Sequence, residues 1–267
     1  FVKKTIISLG VLGLGFVPMA QAITWDAGGD ATTWGDPLNW DLDRVPNDTD
    51  TVNLNDNTVS VVSDAYLERF TGDGVVNIDD GGNLIGSNGY TVRYVDQINV
   101  NSGGNFSIPN WAIRTNITVN SGGSMDGGAA LASAERAILH INGEFSPRNL
   151  DGDQTFYVSP NTTNDRYEGR VYLNSGGTVY LDTAGNGVNE SFTVRGVDGG
   201  SILSLDSGSI VLRPQGGYTP VIGDSFDLWD QLNANATMTL GDGSNISIQG
   251  SSYGLDTSAW ETTGVVT

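Results

Sequence analysis

The stretch Ile98-Asn99-Val100-Asn101-Ser102-Gly103-Gly104 is the clearest copy of a short sequence motif that repeats through the middle of the chain. Its first three residues alternate apolar, polar and apolar, which predicts a β-strand with one buried face. The asparagine and the glycines that follow tolerate a positive φ, so the strand is predicted to end in a turn. Further copies begin at Val76, Ile117, Leu139, Val171 and Leu203. A strand and a turn that return at a near-constant interval predict coils stacked on one another.

The spacing of the turn residues sets the length of one coil. Successive intervals are 22, 19, 22, 32 and 32 residues, measured between Asp79, Asn101, Asn120, Asn142, Asn174 and Asp206. An interval of about 20 residues is typical of a β-solenoid coil. The longer intervals need an insertion, and residues 147–170 are predicted to supply it as a loop, because this segment is polar and lacks alternation. We therefore predict an all-β fold, a right-handed parallel β-helix, with the hand taken from the general bias of parallel crossovers.

The repeated turn also predicts a column of polar side chains. In stacked coils the turn residues lie above one another, so that side-chain amides can hydrogen-bond from coil to coil. The predicted turn ladder consists of Asn55, Asp79, Asn101, Asn120, Asn142, Asn174 and Asp206. We interpret this ladder as structural rather than as a ligand-binding surface.

The composition excludes several kinds of partner and site. Both lysines, Lys3 and Lys4, lie within the first 22 residues, and the rest of the chain has ten arginines, 31 acidic residues, one histidine and no cysteine. The resulting formal charge of −21 repels nucleic acid and anionic lipid and attracts divalent cations. The missing cysteine excludes disulfides and thiol chemistry. Calcium is a predicted counter-ion without a localised site, and no other cofactor is expected.

Four segments are predicted along the chain. Residues 1–22 contain a basic start, an apolar stretch and a small-residue Ala-Gln-Ala site, which predict a secretory signal peptide and an extracellular or cell-surface location. Residues 23–50 are predicted as an N-terminal cap and residues 51–215 as the solenoid with its loop. Residues 216–267 shift to longer predicted strands without the repeated motif, and they are predicted as a C-terminal β module. No later apolar run in the sequence is long enough to span a membrane.

Half of the six tryptophans lie within sixteen positions, at Trp25, Trp34 and Trp40. Aromatic faces that stack on sugar rings would make this cluster a carbohydrate-binding site. The alternative is an aromatic cap over the open end of the core, because the terminal repeats of a solenoid must be sealed. The cap is the favoured interpretation, and carbohydrate binding at these three residues is kept beside it.

The two ends of the chain carry a family resemblance. The order Trp-Asp-x-Gly-Gly-Asp from Trp25, followed by Trp-x-Asp-Pro-x-Asn-Trp from Trp34, resembles the opening of secreted bacterial β-repeat surface proteins of the autotransporter-associated repeat or PEP-CTERM type. Such proteins are known from Planctomycetes and Verrucomicrobia. Residues 218–228 and 254–266 resemble the last module of the same proteins. The resemblance implies a surface-exposed repeat architecture and says almost nothing about activity.

Signals of enzyme chemistry are weak in this sequence. The only histidine, His140, occupies the outward polar position of its predicted strand, with no nucleophile motif beside it. The sequence has no nucleophile elbow, zinc-protease motif or phosphate loop. The enzymatic alternative is a β-helix polysaccharide lyase or hydrolase that acts through clustered carboxylates and arginines. Its candidate residues are Arg148, Asp151, Asp153, Asp165, Arg166 and Arg170.

The predicted function is non-enzymatic. We expect an exported structural or adhesive component of the cell surface or extracellular matrix, in the form of a self-assembling filament subunit. Its predicted partners are further copies of itself or surface glycans, since exposed strand edges at solenoid ends permit stacking. Carbohydrate binding and polysaccharide cleavage are the two alternatives.

Overall fold

The computed structural model describes residues 21–87, 95–108, 112–128, 130–131, 137–147, 155–158, 168–195, 200–232, 236–251 and 254–267. Within these ranges the chain consists mainly of short strands. In chain order they are β1 (Ala22–Thr24), β2 (Thr51–Asn53), β3 (Thr58–Val61), β4 (Asp64–Leu67), β5 (Arg69–Phe70), β6 (Val75–Ile78), β7 (Asn83–Gly86), β8 (Gln97–Val100), β9 (Asn105–Ile108), β10 (Ala112–Ile113), β11 (Asn116–Val119), β12 (Ser124–Gly127), β13 (Ala130–Leu131) and β14 (Ala137–Ile141). The second half contains β15 (Glu144–Ser146), β16 (Thr155–Val158), β17 (Gly169–Leu173), β18 (Thr178–Gly185), β19 (Val188–Asn189), β20 (Ser191–Val194), β21 (Ile202–Leu205), β22 (Ser209–Pro214), β23 (Phe226–Asp227), β24 (Trp229–Gln231), β25 (Thr237–Leu240), β26 (Ile246–Ile248) and β27 (Val265–Val266). A 3₁₀ turn spans Pro37–Asn39, and the helix α1 spans Trp260–Thr263.

Three parallel sheets form the sides of a solenoid. One has eight strands in the order β3-β6-β8-β11-β14-β17-β21-β25. The second runs β4-β7-β9-β12-β15-β18-β22-β26, with β19 attached to β18, and the third runs β10-β13-β16-β20-β24. A full coil gives one strand to each sheet, as β11, β12 and β13 do. The predicted parallel β-helix is confirmed.

Equivalent residues of successive coils are in register and form columns. Ile98 aligns with Ile117, and Val100 aligns with Val119. Two inward columns are fully buried. One consists of Val76, Ile98, Ile117, Leu139, Val171 and Leu203, and the other consists of Ile78, Val100, Val119, Ile141, Leu173 and Leu205. Burial of each such side chain contributes roughly 1.5–3 kcal/mol. One coil alone cannot bury its apolar face, so the stability of each coil depends on its neighbours.

The two glycines of the Asn-Ser-Gly-Gly turn have different roles. The first adopts a positive φ, which is 78° at Gly103 and favours a residue without a Cβ. The second lies against the coil below, because a Cβ on Gly104 would lie 2.3 Å from the carbonyl oxygen of Ile78. The motif therefore needs one glycine to turn the chain and one to let the coils approach each other.

An aromatic cluster closes the N-terminal end, beside the three-stranded sheet β1-β2-β5. The rings of Trp25 and Trp40 meet edge to face with centroids 5.0 Å apart, and those of Trp34 and Trp40 with centroids 4.9 Å apart. The Trp40 Nε1–H donates to the carbonyl oxygen of Trp34 at 2.9 Å. We call these three residues the tryptophan cap, and it matches the predicted aromatic cap.

Two segment boundaries differ from the prediction. Residues 147–170, predicted as a loop, contain β16, which pairs with β13 and β20 and buries Phe156 and Val158. Its alternating pattern is only four residues long and lies between polar stretches, so the sequence did not predict a strand there. The solenoid also extends beyond residue 215, because β24, β25 and β26 continue the three sheets.

The C-terminal module pairs a strand that precedes β24, β25 and β26 with one that follows them. β23 pairs with β27 in an antiparallel manner, and α1 buries Trp260. The rings of Trp229 and Trp260 meet edge to face with centroids 6.4 Å apart. In the part of the chain that the structure describes, no helix is long and apolar enough to cross a membrane.

Candidate functional site

The tryptophan cap is closed to solvent. Trp25 and Trp40 are 0% exposed and Trp34 is 1% exposed. Since the rings pack against one another and against the core, none has a free face that could stack on a sugar. The carbohydrate-binding prediction at these three residues is corrected on this ground, and their position is that of a seal over the core.

The turn ladder, at the corner between the two long sheets, connects three successive coils in one run and the next two coils in another. Nδ2 of Asn101 donates to Oδ1 of Asp79 at 2.7 Å, and Nδ2 of Asn120 donates to Oδ1 of Asn101 at 2.8 Å. Nδ2 of Asn174 donates to Oδ1 of Asn142 at 3.0 Å. Each of these amides donates toward the preceding coil, so the first position needs only an acceptor. The carboxylate of Asp79 meets that need.

Two predicted members of the ladder behave differently. Asn55 is not in the column, because it lies in the turn between β2 and β3, where its φ is 52°. It shares a residue type with the ladder but occupies an earlier corner of the coil. Asp206 follows β21 in register above Asn174, but a carboxylate has no hydrogen to donate to the coil below. Its Oδ1 accepts from the Ser204 hydroxyl at 2.8 Å instead.

A second ladder, which we did not predict, runs along the outer face of the nine-stranded sheet. Nδ2 of Asn83 donates to Oδ1 of Asp64 at 3.2 Å, Nδ2 of Asn105 to Oδ1 of Asn83 at 2.8 Å, and the Ser124 hydroxyl to Oδ1 of Asn105 at 2.9 Å. The next residue in register is Glu144, which cannot donate. The signal in the sequence was the polar residue that directly follows each glycine turn.

Replacing Asn101 by Asp tests the turn ladder. The change removes the donor to Asp79 and sets two carboxylates side by side, so we expect a loss of roughly 1–3 kcal/mol in the free energy of unfolding. The loss should shrink at high salt, because salt screens like charges. The measurement is urea unfolding at two ionic strengths. Asn55→Asp is the matched control, with an expected change within about 0.5 kcal/mol, and an equal loss in both variants would contradict the ladder.

His140 faces outward on the eight-stranded sheet, as its place in the repeat predicts. It aligns with Thr118 below and Tyr172 above. The His140 and Tyr172 rings are stacked with centroids 5.0 Å apart. Burial lowers the pKa of His140 from its ordinary value. His140 and Tyr172 therefore form a stacked aromatic pair on the outer face of the eight-stranded sheet.

The single histidine offers a direct pH measurement. Since the fold disfavours the charged form, the NMR titration midpoint of His140 should lie below the ordinary value of about 6.5. The unfolded chain then binds the proton more readily, so stability should fall as the pH drops below about 6.5. Tyr172→Ala should move the midpoint upward by exposing the ring, whereas Tyr180→Ala on the other sheet should leave it unchanged. A midpoint above the ordinary value would overturn this description.

The residues proposed for polysaccharide cleavage are mostly outside the described residues, namely Arg148, Asp151, Asp153, Asp165 and Arg166. Arg170 is described and lies on β17, where its Nη2 is 3.6 Å from Oε2 of Glu168 and its Nε donates to the carbonyl oxygen of Gly200 at 3.2 Å. Within the described ranges, no group of three or more His, Asp or Glu residues is placed to hold a metal ion. Calcium binding stays a prediction.

A polar recess of about 250 Å³ lies on the outer face of the nine-stranded sheet, where the second ladder ends. We call it the Arg213 recess, and its lining includes Asp126, Glu144, Ser146, Tyr180, Arg213 and Gln249. Nε of Arg213 donates to Oδ1 of Asp182 at 2.5 Å, and Nη2 donates to the Ser146 hydroxyl at 2.9 Å. The hydrogen bond with Asp182 raises the pKa of Arg213. The guanidinium carbon lies 5.4 Å from the centre of the Tyr180 ring.

Among the residues that the structure describes, exposed large apolar side chains lie in the first and last coils and in the C-terminal module. Among the described residues they are Leu38, Leu42, Val62 and Tyr66 near the N-terminal end, and Val188, Val221, Ile222 and Leu232 in the last coils and the C-terminal module. Ile222 is 88% exposed. In the described ranges between residues 67 and 187, no large apolar side chain is exposed.

Comparison of the chain with protein-family models, curated proteins and solved structures found no match in any of the three. The resemblance to secreted bacterial β-repeat proteins therefore stays a prediction from the two ends of the sequence.

Proposed function

We propose that this chain is an exported, non-enzymatic building block of a cell-surface or extracellular assembly, in which copies associate end to end. The observation that carries this proposal is that, within the described ranges, exposed large apolar side chains lie toward the two ends of the solenoid. The described parts of the flanks between them expose no large apolar side chain, and many side chains there already hydrogen-bond from coil to coil. Burial of apolar surface therefore favours contacts between ends over contacts between flanks.

The size of one molecule supports an assembly. Eight strands at a spacing of about 4.8 Å make the eight-stranded sheet roughly 34 Å long along the solenoid axis. A single copy is short for a surface spacer or matrix element. End-to-end association would multiply that length without any change in the fold.

The two ends present different surfaces. Near the N-terminal end the exposed apolar residues include Leu38, in the 3₁₀ turn, and Val62, in the turn between β3 and β4. At the C-terminal end Ile222 is exposed, and β25 is the outermost strand of its sheet. An outermost strand offers backbone groups to a further strand. Contact between two unlike surfaces is heterologous, so it gives open filaments when the rotation does not close a ring.

The charge of the chain makes the assembly sensitive to cations. With a formal charge of −21 after the signal peptide, copies repel one another at low ionic strength. Divalent cations screen or bridge carboxylates. Association should therefore be stronger with calcium than with a chelator.

The test uses the full chain secreted from a bacterial host, sized by light scattering at increasing concentration with calcium and with chelator. We expect oligomers that grow with concentration in calcium. Ile222→Asp places a charge on the C-terminal surface and should give smaller species, and a small fraction of it should shorten assemblies of the natural chain by capping them. Ser121→Asp, exposed in a mid-solenoid turn, is the control and should assemble normally. Monomers under all conditions would overturn the proposal.

A further inference from the structure

We propose that the Arg213 recess binds an uncharged glycan, one sugar unit of a neutral polysaccharide chain at a time. The proposal goes beyond end-to-end association and does not depend on it, because the recess lies on a flank of the solenoid. It rests on three observations. They are the size of the recess, the presence of polar groups in its lining that make no hydrogen bond to the described residues, and the kinds of donor, acceptor and charge that these groups supply.

The recess exists because side-chain size changes from coil to coil. On the outer face of the nine-stranded sheet, the short side chain of Asp126 is followed one coil later by the still shorter Ser146, while the neighbouring column changes from Ser124 to the longer Glu144. The next coils bring Tyr180 and then Arg213, whose long side chains stand beside the short ones. The resulting volume of about 250 Å³ is slightly below the ordinary range for small-molecule pockets, which begins at about 300 Å³. This size suits a single sugar ring of a longer chain.

Arg213 is held in place before any ligand arrives. Its Nε is bonded to Asp182 and its Nη2 to Ser146, while Nη1 makes no hydrogen bond to any residue that the structure describes. A guanidinium has five N–H donors, so donors remain for a ligand hydroxyl. A side chain that is already ordered loses little further entropy on binding. Asp182 balances the positive charge, so the recess is not an anion site.

Acceptors are available elsewhere in the lining. Glu144 ends the second ladder, and its carboxylate makes no hydrogen bond or ion pair within the described residues. Gln249 is exposed, and its amide offers both a donor and an acceptor. Tyr180 adds a hydroxyl and an aromatic surface. Along the preceding coils the corresponding positions are occupied by side chains that bond to one another, so the unused groups are specific to this place.

The mixture of groups selects the class of ligand. The hydroxyls of a sugar ring both donate and accept, which matches a lining that contains Arg, Glu, Gln, Ser and Tyr. The carboxylate of Glu144, on a chain with 31 acidic residues, repels uronate and sulfate groups. The ligand is therefore a neutral glycan rather than an acidic one.

The experiment is affinity electrophoresis of the full secreted chain in native gels cast with dextran, mannan, xylan or mixed-linkage β-glucan, with alginate as the acidic counterpart. We expect retardation in at least one neutral gel and none in alginate. Tyr180→Ala should weaken the apparent affinity at least tenfold, and Glu144→Gln should weaken it severalfold. The matched controls are Tyr172→Ala, in the same coil on the other sheet, and Glu261→Gln in α1, and both should bind as the natural chain does.

Several outcomes would overturn the proposal. They are no retardation in any neutral gel, stronger retardation in alginate, or unchanged affinity in both recess variants. Thermal unfolding of each variant checks that it is folded. Ile222→Asp is run in parallel with a chelator, where the natural chain is least assembled, and its retardation should then equal that of the natural chain, because assembly and glycan binding use different surfaces. A failure of assembly with intact retardation would thus leave the glycan site standing.

Discussion

Trp40→Ala is expected to lower the free energy of unfolding by about 3–5 kcal/mol. Trp40 is 0% exposed and packs edge to face against both Trp25 and Trp34. Truncation leaves a cavity at the end of the core and removes the donor to the carbonyl oxygen of Trp34. Because the coils depend on one another, opening the end weakens the whole stack. Urea unfolding followed by circular dichroism measures the loss.

Two controls separate the seal from general damage. Trp40→Phe keeps a ring but loses the indole N–H, so its loss should be smaller than that of Trp40→Ala. Leu42→Ala changes a neighbouring side chain that is 39% exposed and should have an effect of less than about 1 kcal/mol. If Trp40→Ala were as mild as Leu42→Ala, the tryptophan cap would not seal the core.

Gly104→Ala is expected to destabilise the fold by about 3 kcal/mol or more, at the upper end of overpacking effects. The new Cβ would meet the carbonyl oxygen of Ile78 at 2.3 Å. That oxygen belongs to the backbone of the coil below and accepts the backbone N–H of Asn101, so it cannot move without parting two coils. Equilibrium unfolding in urea measures the loss in the free energy of unfolding.

Gly176→Ala is the matched control for this effect, since Gly176 is the first glycine of another copy of the turn. Its φ is 90°, and a Cβ there would meet no atom within 4 Å. Alanine at this position therefore adds only the strain of the left-handed backbone, about 1–2 kcal/mol. Equal losses of stability in the two variants would show that close contact between coils is not the reason why the second position of the turn needs a glycine.

Much of the fold could be predicted because a strand's period of two sets which side chains face inward. That rule placed Ile98 and Val100 in the core and His140 outside. It failed for β16, whose four residues are too short to stand out from the polar residues around them. Residue type alone also misplaced Asn55, because asparagine suits any turn and does not specify which corner of the coil it occupies.

The sites were less predictable than the fold. The rings of Trp25, Trp34 and Trp40 look alike in a sequence whether they bind sugar or seal a core, and only their burial distinguishes the two. The Arg213 recess brings together residues from Ser124 to Gln249, and it depends on side-chain sizes in different coils. No local motif marks it, since its parts meet only when the register of the coils is known.

Cryo-electron microscopy of the full secreted chain, at high concentration with calcium, tests the central claim most directly. The account predicts filaments whose axial repeat equals the length of one solenoid, with the N-terminal end of each copy against the C-terminal module of the next. Discrete single particles with calcium and with chelator alike would contradict it, as would filaments in which the solenoids contact each other only through their flanks.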